Sequence, residues 1–558
     1  MRWVVARQRA YAANVLLVAG ALAGCGKSNG ASAVGVSVGG SDGGHVGIDT
    51  AGGGGGQGAT APGGKAGSTT GGGTSDGGAG SSGAGRTSGT GAAPVDASSG
   101  NGAAGDPSGR AAGGTPPNGG AGVAASAGAA AIGGAGSGAM TPCTVTPTTT
   151  QSAVIPTVHT LTFTTTLTEL TSAEVDFAAA AGGATMVAPV DLSQPDHKTI
   201  LVGMKPNTNY VYRIKLSGAA GTCVSGDYVL TTGGLGGVPE LTVTLTDPSH
   251  HDRGFLLVTS GLAGEGDGAY IIDPDGTVVW VPPDGAITFT TGRAHLSWNA
   301  ARLTAMDVNY PKDNFGFIVS MAMDGTDVKS LSGVSAVHHD FVAIPGGIAT
   351  LVWTTPNSGT SEGPSSVVEF LDSGESRTVV ADTTTVLGAA ATHTNSIHYY
   401  DSDHSYTLGD PKANAYAKVD RDGQLVWRFG GESPQDTSKA FAGVTPWQVN
   451  HGHHLTADGT FAFFNNTTST AASNVFVYQL DTQNMQATPT ASFTLPQSPE
   501  FGDVQRLPNG NFLLTASNAG VIEEVTPAGA VVMTIDAPPS LAFGYTEFRE
   551  SLYGPPPY

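Results

Sequence analysis

Three histidines of this 558-residue chain occupy matching places: His339, His393 and His451. Two of them share a frame. His339 in HDFVAIPGG and His451 in HGHHLTADG each stand eight residues before a turn glycine, Gly347 and Gly459, and Gly502 in GDVQRLPNG stands in the same frame before Gly510. His393 opens HTNSIHYYDSDHSYTLG. A neutral imidazole is a competent nucleophile near pH 7, and a partner on one ring nitrogen selects which nitrogen keeps the lone pair. The same ring can give or take a proton, or ligate zinc or iron. Imidazoles gathered in one space could therefore carry nucleophilic chemistry or hold a metal, although no compact His-Glu-x-x-His spacing supports the metal. His453 and His454 follow His451 closely; on a strand they face opposite ways, so one of them is expected to support it. His338 is expected to be structural or supporting. His398 and His404 are expected at solvent or on a sheet face, and His250 and His251 in a polar turn.

The elements that must position these residues read as strands. AYIIDPDGTVVWV (269–281) and AYAKVDRDGQLVWRF (415–429) are close copies of a strand, an Asp-Gly turn and a second strand. HDFVAIPGGIATLVW (339–353), HGHHLTADGTFAFFN (451–465) and GDVQRLPNGNFLLTA (502–516) share another strand–turn–strand pattern. The two patterns alternate in six units, starting near Gly254, His295, His339, His393, His451 and Gly502, at spacings of about 40 to 60 residues. No stretch has convincing helical periodicity. Residues 237–558 are therefore expected to form a six-bladed β-propeller, whose corresponding strands would bring the three histidines to one mouth. Residues 141–236 alternate apolar and polar side chains, as in TNYVYRIKLSG, and are expected to form a small fibronectin type III-like β-sandwich. The expected class is all-β.

Much of the excess of the 83 glycines lies in residues 26–140, a Gly/Ala/Ser-rich stretch expected to be a disordered linker. Nucleophile-elbow-like strings inside it, such as Gly39-Gly40-Ser41-Asp42-Gly43, are compositional accidents. Residues 1–25 combine a basic start, a short apolar run and LAGC. This resembles a bacterial lipoprotein signal peptide with its lipobox, which implies lipidation of Cys25, anchoring in the cell envelope and, with Gly26 following, the outer membrane. Export into an oxidising compartment then implies that the other two cysteines, Cys143 and Cys223, form a disulfide. The net charge of −21, with 24 Lys and Arg, argues against nucleic acid as a partner.

HHDFVAIPGG (338–347), HTNSIHYYDSDHSYTLG (393–409), VDRDGQLVWRFGG (419–431), NHGHHLTADGTFAFFNN (450–466), GDVQRLPNGNFLLTA (502–516) and YTEFRESLYG (545–554) together resemble bacterial arylsulfotransferases of the PAPS-independent type. The resemblance covers roughly 200–554. It implies a β-sandwich before a six-bladed propeller, no cofactor, and ping-pong transfer of a sulfuryl group from an aryl sulfate to a phenol through a sulfohistidine. By motif position His451 is the nucleophile, with Asn450 where family members carry Gln. His339 and His393 match the histidines that hold sulfuryl oxygens or serve as acid or base. Asn395, Asn450 and His453 are the accompanying substrate-binding candidates. Pro411 and Lys412 stand where the family carries a sulfuryl-binding Arg, and Lys412 is expected to supply a point charge without the planar fork. The Arg that the family carries just after the Asn-Asn pair is also absent; TTSTAAS follows Asn465 and Asn466. The competing expectations are a non-enzymatic lipid-anchored binding or scaffold protein, and a histidine-ligated metal site.

Overall fold

The computed structural model describes residues 141–260, 268–287, 291–308, 316–354, 362–467, 471–539 and 541–556. Cys25, the signal segment and the Gly-rich stretch lie outside the described residues. What is described is all-β, with one α-helix, the single turn Thr384–Leu387.

Two sheets come first. One holds the strands Val145–Gln151, His159–Thr165 and Thr199–Leu201; the other is built on Leu170–Ala179 and Asn209–Gly218. In Asn209–Gly218 the alternation is clear: Tyr210, Tyr212, Ile214 and Leu216 are buried and their neighbours are not. They share one apolar cluster with Leu161 and Phe163 of the other sheet. Cys143 and Cys223 are disulfide-bonded across this region, 80 residues apart in sequence.

Beyond residue 240 the described residues fold into antiparallel meanders; those of Ala294 and Val337 are joined at Gly316 and Val337 into one eight-stranded sheet, and the last, that of Asp503, takes Thr242–Leu245 as a fifth strand. Five run in chain order, starting at Ala294, Val337, Ser396, Val449 and Asp503. The remaining one combines Phe255–Ser260, Gly268–Ile272 and Val278–Trp280 with Phe543–Arg549 from the far end of the chain. The copied sequences make copied turns. Asp273 Oδ1 accepts from the N–H groups of Asp275 and Thr277, and Asp420 Oδ1 from those of Asp422 and Gln424.

Strands such as Phe255–Ser260, Ser396–Tyr400 and Phe512–Ala516 are buried along their whole length. The packing explains this, because each meander faces another on both sides. Apolar clusters join the sheet of Phe255 to that of Ala294, that one to the sheet of Val337, and so on through the sheets of Ser396, Val449 and Asp503. A last cluster puts Leu513, Ile522 and Met533 of the final meander against Leu256, Val258 and Tyr270 of the first.

Candidate active site

His339 lies on Val337–Ile344, whose pairing with Gly347–Trp353 slips between Val337 and Phe341. His451 lies on Val449–Leu455, whose pairing with Thr460–Asn466 slips between Asn450 and His453. Both histidines thus sit in β-bulges, which re-aim a side chain that regular pleating would place elsewhere. At His339 the backbone is left-handed, with φ +59°. That conformation is costly for a residue with a Cβ, and its bulge and packing must impose it. His393 precedes Ser396–Tyr400, and its backbone N–H donates to Asp410 Oδ2 at 2.9 Å.

The rings of His339 and His393 are 4.6 Å apart, edge to face. His451 shares their space electrostatically. Burial, followed by the neighbouring His393, His338 and His451, holds the pKa of His339 well below the ordinary histidine value. Burial also lowers His451, to about 4, against the opposing hydrogen bond to Asn466 and with a further lowering by His393. Both rings are therefore neutral at pH 7.

The His451–Asn466 bond fixes more than charge. His451 Nδ1 and Asn466 Oδ1 are 2.5 Å apart. The amide cannot present its nitrogen to the ring, because Nδ2 donates to the carbonyls of Ser498 and Phe501, each at 2.6 Å. Oδ1 must accept, so His451 carries its proton on Nδ1 and its lone pair on Nε2. Phe501, also left-handed at φ +55°, stacks on the His451 ring at 6.2 Å.

His338 is fully buried behind His339. Its ring stacks on Trp353 at 3.7 Å, its Nδ1 is 2.7 Å from His339 Nδ1, and its Nε2 is 3.1 Å from Ser365 Oγ. Lys412 pairs with Glu362 at 2.7 Å, and His393 acts electrostatically on that same carboxylate. The expected point charge is thus close to the histidines but shared with an anion.

Other expected residues are placed differently. His453 is fully enclosed, with Nδ1 on Ser396 Oγ at 3.1 Å and Nε2 on Thr407 Oγ1 at 2.7 Å. Two hydroxyls take both nitrogens, so it holds two meanders together and does not face the cluster as a binding group. Asn395 and Asn450 are both fully buried. Asn395 Nδ2 donates to the Asn450 carbonyl at 3.0 Å, and Asn450 Oδ1 accepts from Trp447 Nε1 at 3.1 Å. They lie beneath the histidines as a brace. His398 is buried against His453, not at solvent, and His251 is buried on Glu524. His404 is exposed.

Composition hid one feature, the fully buried Arg293. Its guanidinium bonds Asp340 at 2.7 and 3.3 Å and Asp503 at 3.2 Å, and covers the Tyr545 ring at 4.0 Å. Burial opposes its charge, yet the two carboxylates outweigh that and keep it more firmly protonated. Burial raises Asp503 to about 6 against Arg293's pull. With both carboxylates on it, Arg293 is committed to this network. Tyr545 in turn donates its hydroxyl to the Asn395 carbonyl at 3.1 Å. A signal existed: in the frame of His339, His451 and Gly502, the next residues are Asp340, Gly452 and Asp503, two acids that need a cation. Among the described residues, no group of three His, Cys, Asp or Glu is arranged to hold a metal.

Residues 366–537 match the family model for arylsulfotransferase (ASST). Over these residues, about a third of the chain, it is similar to the arylsulfotransferase family. The ASST match includes His393, Lys412, His451 and Asn466 and begins after His339. No curated protein matches the chain. Solved structures are similar at low level. A periplasmic gluconolactonase of Pseudomonas aeruginosa is 14% identical, at TM-score 0.35, over 67% of this chain and 99% of its own. A streptogramin B lyase is 12% identical, at TM-score 0.32, over 55% and 98%. A Bacteroides thetaiotaomicron protein of unknown function is 13% identical, at TM-score 0.30, over 71% and 98%.

Proposed function

We propose that this chain transfers a sulfuryl group from an aryl sulfate ester to a phenol, without PAPS, through a sulfohistidine at His451. Nε2 of His451 attacks sulfur, the S–O bond to the aryl group breaks, and the phenolate leaves and is protonated. A second phenol then gives up its proton and takes the sulfuryl group, which restores neutral His451. The observation that carries this reading is the locked His451–Asn466 pair, which leaves a neutral imidazole with its lone pair on Nε2 beside two further imidazoles. His339 and His393 stand where donors to the sulfuryl oxygens or an acid are needed, and Lys412 where a cation is needed.

The six meanders are read as the blades of one propeller, supported by the clusters that join each to the next and the last to the first. The two preceding sheets are read as a β-sandwich. A lipid on Cys25 would tether the molecule to the bacterial envelope.

The test is turnover of p-nitrophenyl sulfate with a phenol acceptor, and mass analysis of the quenched protein for a sulfurylated His451 peptide. His451→Ala should abolish both signals; turnover unchanged by that substitution would remove His451 from the role. Cys25→Ala should release the protein from membranes, and retention of membrane association would disprove the anchor.

A further inference from the structure

His339 and His451 have different supports, and the difference has a chemical meaning. Behind His451 stands an acceptor, Asn466 Oδ1. Behind His339 stands another imidazole, and behind that a serine. The Ser365 side chain is fully buried, and its hydroxyl meets His338 Nε2 at 3.1 Å. Among the described residues that hydroxyl makes no other hydrogen bond. If His338 Nε2 donated to it, the serine proton would be enclosed with no acceptor, at a cost of roughly 1–3 kcal/mol. The serine therefore donates, and His338 Nε2 accepts. A neutral His338 then carries its proton on Nδ1, and gives it to His339 Nδ1 across 2.7 Å. His339 must keep its own proton on the remaining nitrogen, Nε2. The stack on Trp353 at 3.7 Å and the left-handed backbone at His339 hold both rings in these orientations.

We propose that Ser365 and His338 are positioning residues that set His339 in the Nε2–H tautomer, opposite to His451, so that it serves as a neutral hydrogen-bond donor to the sulfuryl group. One imidazole of the cluster is thus a nucleophile and its neighbour an electrophile, with no net charge on either. This supplies an N–H donor in a site whose expected arginine is absent and whose Lys412 is shared with Glu362. No proton leaves His339 in this role. The catalytic part rests on the sulfuryl-transfer reading; the tautomers do not.

Two measurements separate them. Nitrogen NMR of the full chain labelled with ¹⁵N-histidine, with peaks assigned by single substitutions, should show His338 protonated at Nδ1 and His339 at Nε2. Ser365→Ala should lose the His339 pattern and Ser365→Thr, which keeps the hydroxyl, should retain it. With p-nitrophenyl sulfate, Ser365→Ala should lower kcat about tenfold or more with little change in KM, and Ser365→Thr should recover most of it. His338→Phe, which keeps a ring against Trp353 but has no nitrogen, should lose as much as Ser365→Ala. A His339 protonated at Nδ1 in the unsubstituted protein overturns the proposal. So does a Ser365→Ala protein with unchanged kcat. The expected tautomers in a protein that never turns over would support the relay and refute the transferase.

Discussion

Asn466 is an ordinary residue at the end of a strand, yet it decides what His451 can do. Removing its side chain takes away the acceptor for Nδ1–H and leaves the carbonyls of Ser498 and Phe501 without their donor. Asn466→Ala is expected to lower turnover about tenfold, the worth of one buried hydrogen bond, and to reduce stability by roughly 1–3 kcal/mol. Rate and denaturant unfolding measured on the same preparation would separate the two losses. The proposed mechanism requires a neutral His451, so on that reading the rate should fall as pH drops through about 4, the value to which burial lowers His451. His339 and His451 stood out in the sequence because a reactive residue type recurs in a repeated frame, and His393 because it opens the next unit. Asn466 was visible only as one half of an Asn-Asn pair. Which amide is pinned by two carbonyls is a tertiary fact. The reading of His453 as a binding group failed for a related reason: strand alternation predicts two faces, and both faces here are covered by protein.

At the scale of elements, the strand pattern was legible and the bulges were not. Alternation and Asp-Gly turns give the strands because they are local. A bulge is a mismatch between two strands, and only the pairing reveals it. Gly452 shows what the mismatch at His451 requires. Its N–H donates to the Gly502 carbonyl at 3.0 Å, and a Cβ there would collide with the Asp503 carboxylate and the Gly502 backbone. The sheets of Val449 and Asp503 can meet this closely only without a side chain. Gly502 has the same constraint from Phe464, whose ring would meet its Cβ, at φ +105°. Gly452→Ala is therefore expected to destabilise the protein by about 1–3 kcal/mol and to shift the Arg293–Asp503 contact. A denaturation midpoint equal to that of the unsubstituted protein would contradict this.

On the scale of the whole molecule, the interior is unusually rich in neutral imidazoles. Burial holds His453 at about 3 and His454 and His451 at about 4, with His338, His339 and His398 also well below the ordinary value. In the unfolded chain each would titrate near 6.5. Between these values the unfolded state binds more protons than the folded one, so stability is full above about pH 6.5 and is lost as pH falls toward 4. His251 opposes the trend: burial lowers its pKa, but the bond to Glu524 outweighs that and raises it. The combined effect should be visible as a steep drop in Tm between pH 6.5 and 4. A Tm flat across that interval would mean these rings are hydrated or charged when folded. The sequence showed the histidines but not their enclosure, which depends on which sheets face each other.

The pairing of Phe543–Arg549 with Phe255–Ser260 has a consequence in time. The earlier strand needs a partner that lies about 300 residues further along. At 5–20 residues per second, a growing polypeptide waits roughly 15 to 60 seconds before that partner exists. Tyr545, which supports both Arg293 and Asn395, arrives with it. Until then the first strand has one edge unpaired, and Arg293 and the Asn395 carbonyl lack their Tyr545 contacts.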